Sequence, residues 1–153
     1  MRCVSPANPA PAQALDLAHA ALADYLIPNE TEAETLTGVP ANDLDQARTC
    51  ALWLHRRGVA RVIVTLGKNG ALLSSPEETE HVPPFPVSAI DSSGAGDAFI
   101  GSLAVFLAEG YAAREVVSRA NLYAALSTLS PGTQRSFVSR ERFDAEWAHS
   151  SGG

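Results

Sequence analysis

Lysine is nearly absent from this 153-residue chain. Lys68 is the only one, and every other basic residue is arginine. No basic run or stripe occurs, and the formal net charge is −6. A surface of that sign repels phosphate backbones and anionic lipid, which argues against a nucleic-acid or membrane partner. Cysteine is scarce too. The spacing of Cys3 and Cys50 fits no zinc pattern, and two cysteines make no disulfide framework, so reduced thiols are expected. No apolar run is long enough to span a bilayer. The opening "MRCVSPANPAPAQ" is broken by prolines and has no apolar signal-peptide core. The expected address is the cytosol. There is no G-x-x-x-x-G-K-[ST], which excludes a P-loop, and no G-x-S-x-G, which excludes a nucleophile elbow. His19, His55, His81 and His149 form no HxH or HxxxH pair, so no metal centre is expected from them. No internal repeat or linker breaks the chain, and its length predicts a single domain over residues 1–153.

What is present is globular: 46% apolar residues and 18% charged. "RCVS" reads as a short strand, and "NPAPAQALDLAHAALADY" as a turn followed by a helix. "YLIPN" is a brief strand ended by Pro28. "ETEAETLTG" is a short helix closed by Gly38, and a second helix runs from about Asp43 to Arg57. "RVIVTL" is β-branched and apolar on both faces, as a central parallel strand requires. "GKNG" is a tight turn, "ALLSS" the next strand, and His81–Val82 a short edge strand. "VSAI" predicts another strand. Helices follow over about Gly96–Glu109, Ala113–Leu129 and Arg140–Ala148, the last carrying Phe143 and Trp147 on one face. Strands alternating with helices predict α/β architecture with a largely parallel sheet.

Four stretches could carry chemistry. In "DSSGAGDAFIGSLAVFLA", residues 91–108, glycines precede a helix that is apolar nearly all round and therefore predicted to be buried. Converging amides and the helix dipole would make an anion site there. Asp97, at the helix start, could take a proton from an attacking hydroxyl. The same residues also suit an ordinary glycine-rich turn with a side-chain cap. In "PNETEAETLTG", Asn29 and Glu32 share one face of a helical turn at the end of a strand, where open α/β sheets place ligands. They could hold a phosphate and, through water, magnesium, or they could simply cap a helix. In "VTLGKNGALL", Thr65 and Gly67 end a buried strand and could border a nucleotide, or form a plain hairpin turn. In "LSPGTQRS", carbonyls could join Asp91 and Ser93 around a monovalent cation, or merely end a helix.

Together and in order, these motifs resemble the C-terminal half of the ribokinase-like members of the phosphofructokinase-B family of sugar kinases. The match runs from "NPAPA" at Asn8 through "PNETEAETLTG", "TLGKNGA" and "DSSGAGDAFIGSL" to "RANLYAALSTLSPGTQRS". The resemblance implies a ribokinase-like α/β fold, here a partial doubly wound, mostly parallel sheet flanked by helices. It implies transfer of the γ-phosphate of ATP to the 5-hydroxyl of D-ribose. Asp97 would be the catalytic base and contact the sugar. The amides of Gly94, Ala95, Gly96 and Asp97 would form the anion hole. Asn29, Thr65, Leu66, Gly67, Lys68, Asn69, Gly70, Gly96 and Asn121 would bind ATP. Glu32 would position hydrated magnesium. Asp91, Ser93, Ser127, Ser130, Gly132 and Ser136 would surround potassium. The implied cofactors are ATP, Mg2+ and K+.

Two departures from the family pattern stand out. "DSSGAGD" carries serines where threonines are common, which keeps the hydroxyls. The family's first half, with a glycine-rich sugar-binding segment and a small β lid, has no counterpart here. A lone chain is therefore expected to show little kinase activity, and a complementing N-terminal half or a second copy would be its partner. A sibling kinase for fructose or a nucleoside, or a non-catalytic nucleotide-binding fragment, are the alternative readings.

Overall fold

The computed structural model describes residues 6–7, 22–131 and 138–151. The chain divides into two compact units, Met1–Pro83 and Pro84–Gly153. "RCVS", "NPAPA" and the helix expected after it lie outside the described residues.

The first unit is built on a five-stranded sheet whose order follows the chain. The strands are β1 (Pro6–Ala7), β2 (Tyr25–Leu26), β3 (Val62–Thr65), β4 (Ala71–Ser74) and β5 (Thr79–Val82). β1, β2 and β3 pair in parallel, whereas β3–β4 and β4–β5 are antiparallel. The sheet is thus mixed, not mostly parallel, and its described strand order never reverses as a doubly wound sheet requires. Connection length explains the mixture. Between β2 and β3 lie two helices, α1 (Glu30–Thr37) and α2 (Leu44–His55), long enough for a parallel crossover. Between β3 and β4 there is only a one-turn 3-10 segment, Gly67–Asn69, which permits only a hairpin. β4 returns to β5 through a tight turn in which the Ser75 hydroxyl accepts from the amides of Glu77 and Glu78 at 3.3 and 3.2 Å.

Both helices start where the sequence places them. Asn29 and Glu32 form a reciprocal capping box on α1, and Gly38 closes it in the left-handed region. The Asp43 carboxylate accepts from the Gln46 amide at 2.8 Å and caps α2. α2 lays Ala47, Cys50, Ala51 and Leu54 against Val62, Val64 and Leu72 of the sheet. Ile63, on the opposite face of β3, is also buried, which accounts for the uninterrupted apolar run. Cys50 is a free, buried thiol, and burial pushes its pKa up.

The second unit packs α3 (Ala95–Ala108) against α4 (Ala113–Ser127), with α5 (Arg140–Ser151) on α4. Phe143 of α5 is 1% exposed and meets Phe106 at 5.1 Å and Tyr123 at 6.0 Å between ring centroids. Trp147 stacks on Phe143 one turn later. Arg119, also buried, lies over the rings of Tyr111 and Trp147 and donates twice to one oxygen of Glu115. A buried charge is tolerated there because it is paired and stacked.

Two expectations for this unit are corrected. "VSAI" forms no strand, and Ile90 is 69% exposed. No described strand offers it a ladder, and the amides of Ile90 and Asp91 instead donate to the Thr128 carbonyl. α3 is not buried all round. Ala98, Phe99, Leu103 and Phe106 face inward, but Gly101, Val105 and Ala108 are exposed. No helix among the described residues is long and apolar enough to cross a membrane.

Candidate functional site

Each unit gathers one part of the predicted set. In the first, Asn29 and Thr65 meet at the carboxyl edge of the sheet. They form an isolated parallel bridge, and the Thr65 amide donates to the Pro28 carbonyl at 3.0 Å. Fold and motif agree here, because the strand ends carry α1 and the Gly67–Gly70 turn to the same edge. Asn29 Oδ1 accepts from the Glu32 amide, and Glu32 Oε2 accepts from the Asn29 amide, both at 2.9 Å. The capping role is therefore real, and it consumes one oxygen of each side chain. Leu66 and Gly70 are buried, whereas Gly67, Lys68 and Asn69 are exposed. The turn is fixed by Leu66 N–H to Gly70 O at 2.8 Å and Asn69 N–H to Leu66 O at 2.8 Å. Gly70, at φ 85° and ψ −133°, occupies a region that only glycine enters freely.

In the second unit, α3 opens on Gly94, whose φ of 78° is left-handed, and no side chain caps it. α4 also starts without a side-chain cap, at Ala112, but has no glycine at its cap or in its first turn. Ala95 N–H turns back to the Ser92 carbonyl at 3.2 Å, so one of the four predicted anion-hole amides is already engaged. The amides of Gly94, Gly96 and Asp97 have no intrachain partner among the described residues. Asp97 is exposed at the same helix end. A Cβ built on Gly96 or on Gly101 would meet nothing within 4 Å. Neither glycine is required by packing, although each costs about 1 kcal/mol of helix propensity relative to alanine. A cavity of about 360 Å³ opens beside Asp97, with Gly101, Val105, Phe106, Tyr123 and Phe143 in its wall.

The glycine at 96 gives a test in which stability and function separate. Gly96→Ala should raise the unfolding free energy by up to about 1 kcal/mol in denaturant titration. It should also weaken nucleotide binding, because a methyl then stands where a phosphate would approach. A variant that loses stability would show that folding, not a ligand, demands the glycine.

The proposed cation residues come together only in part. The Asp91 Oδ1 accepts from the Ser93 amide at 2.9 Å, and the Thr128 carbonyl ties this loop to the end of α4. Ser127 lies beside that carbonyl, with its hydroxyl donating to Ala124 O at 2.7 Å, and Ser130 is half-buried. Gly132 and Ser136 lie outside the described residues. Asn121 is buried in α4. Thr128 escaped sequence reasoning, because a carbonyl acting through the backbone leaves no residue-type signal. Among the described residues no three of His, Cys, Asp and Glu converge to hold a metal. Magnesium nevertheless fits Glu32, since this ion is held through few carboxylates together with substrate phosphates. Potassium fits the oxygen-rich junction of residues 91–93 with the end of α4.

Residues 1–140 match the family described as pfkB family carbohydrate kinase. A deoxyribokinase from Salmonella typhi is 44% identical over 138 residues, covering 90% of this chain and 45% of that protein. A ribokinase from Thermotoga maritima superimposes with a TM-score of 0.86 at 35% identity, covering 95% of this chain and 49% of the other. An Arabidopsis thaliana ribokinase, solved with ribose and ATP, gives a TM-score of 0.80 at 30% identity and covers 85% and 42%. The chain spans about half the length of the relatives it matches.

Proposed function

This chain belongs to the pfkB family of carbohydrate kinases, and from that premise we propose that it supplies the nucleotide-binding and phosphoryl-transfer part of a ribokinase-type pentose kinase. The observation that carries the reading is the start of α3, where three amides without an intrachain partner among the described residues share one helix end with the Asp97 carboxylate. In phosphoryl transfer the protein has little covalent work to do, and positioning and charge stabilisation dominate. The amides of Gly94, Gly96 and Asp97 would stabilise charge on the equatorial oxygens of the moving phosphoryl group. Asp97 would accept the proton of the sugar's primary hydroxyl as it attacks. Asn29 and the Thr65–Gly70 edge would hold ATP, with Asn121 near its base. Glu32 would hold magnesium through water, where the ion neutralises phosphate charge. Asp91, Ser93, Ser127 and Ser130, with Gly132 and Ser136, would hold potassium, which keeps the loop before α3 in place. The acceptor would be a pentose, and the 44% identity to a deoxyribokinase supports testing 2-deoxyribose beside ribose.

The experiment has two stages. Titration calorimetry of the chain with MgATP, in potassium and then in sodium, should show binding that is tighter in potassium. Phosphorylation of ribose and of 2-deoxyribose is then assayed, with the chain alone and mixed with the amino-terminal half of the Thermotoga enzyme. Turnover of either pentose is the expected result in the mixture. No MgATP binding in either salt would overturn the reading.

A further inference from the structure

His81 takes no part in the proposed phosphoryl-transfer site. It lies on β5, opposite Leu72 of β4. Its Nε2 is 2.7 Å from the Asn69 carbonyl oxygen, twelve residues away along the chain. A carbonyl can only accept, so Nε2 carries the hydrogen, and this holds for both the neutral Nε2–H tautomer and the imidazolium. The contact reaches the Gly67–Gly70 turn from outside. The turn's own bonds join Leu66, Gly67, Asn69 and Gly70 to one another. In the peptide plane after Asn69, the Gly70 N–H donates to the Gly67 carbonyl at 3.2 Å, the longest of these bonds, and none of them engages the Asn69 carbonyl. The bond from His81 engages that carbonyl, adds a second and shorter hold on the plane, and ties the turn to the far strand of the hairpin. With the plane fixed, the Gly67 and Lys68 amides stay exposed at the sheet edge, with no intrachain partner among the described residues.

We propose that His81 is a positioning residue for the nucleotide, acting through the Asn69 carbonyl to hold the 67–70 turn in its binding geometry. This rests on the reading of that turn as part of the ATP site. A free turn would have to be ordered on binding, so affinity would fall even though no ATP contact is removed. The loss of one such bond predicts about three- to tenfold weaker binding.

The test compares His81→Ala with His81→Gln, whose amide N–H spans a similar reach. Amide hydrogen exchange is followed at Leu66, Asn69 and Gly70 without nucleotide, and MgATP affinity is measured on the same proteins. Faster exchange and weaker binding in H81A, both returning towards wild type in H81Q, are expected. Unchanged exchange in H81A, or equal loss in both variants, overturns the positioning role. The exchange arm is independent of nucleotide, so it separates the outcomes. If the wild-type chain binds no MgATP, the ATP-site reading fails. If it binds and H81A binds equally well, this inference fails alone.

Discussion

Asp97→Asn is expected to leave MgATP affinity and the far-ultraviolet circular dichroism spectrum unchanged while lowering pentose phosphorylation about a hundred- to ten-thousand-fold. The carboxylate is exposed and makes no intrachain hydrogen bond among the described residues, so the fold does not depend on it. An asparagine preserves its size and leaves the backbone amide in place at the start of α3. What it removes is the ability to accept a proton from the attacking hydroxyl. The split between unchanged binding and lost turnover identifies a group that acts only in the transition state. Steady-state kinetics in the reconstituted mixture, with MgATP titrated separately, make the measurement. Turnover within threefold of wild type would remove Asp97 from the chemistry. A parallel fall in MgATP affinity would instead make it a ground-state contact.

Phe143→Ala should be the most destabilising single change in the second unit, at about 3–5 kcal/mol. The ring is 1% exposed and packs against Phe106, Tyr123 and Trp147 at once. Its removal opens a hole among aromatic neighbours that cannot collapse without leaving their rotamers. Domains of this kind are stable by only about 5–15 kcal/mol, so the loss is a large share of the total. Denaturant unfolding followed by Trp147 fluorescence in a Trp53→Phe background reports on this unit, because Trp147 stacks on the deleted ring and Trp53 lies in the first unit. Phe143→Leu should recover most of the loss. A shift below about 1 kcal/mol in the alanine variant would mean that α5 contributes little to the packing of α4.

Much of the fold was legible in local signals. Asn29, Gly38 and Asp43 mark helix ends by chemistry that acts over three or four residues, so the caps of α1 and α2 fall where the sequence puts them. The apolar run of β3 records burial on both faces, and the Phe143–Trp147 spacing records one face of α5. "VSAI" misleads because a strand needs a ladder, and the amides of Ile90 and Asp91 find theirs at the end of α4. α3 misleads because apolar composition cannot tell which face of a helix has a neighbour. Gly101 and Val105 look no different in sequence from Ser102 and Phe106, yet they are exposed.

The candidate site divides the same way. Residue types and spacing alone placed Asp97 and its glycines at one helix start and the Asn29–Glu32 pair at another, because caps, turns and helix starts are short-range chemistry. Tertiary structure decided which strands are antiparallel, that the Ala95 amide is spent on Ser92, and that Thr128 ties down the Asp91 loop. It also decided that His81 reaches Asn69. Each of these is a contact between atoms distant in the chain or hidden in the backbone. Hydrogen-bond partners of that kind are chosen only when the whole set of elements has packed.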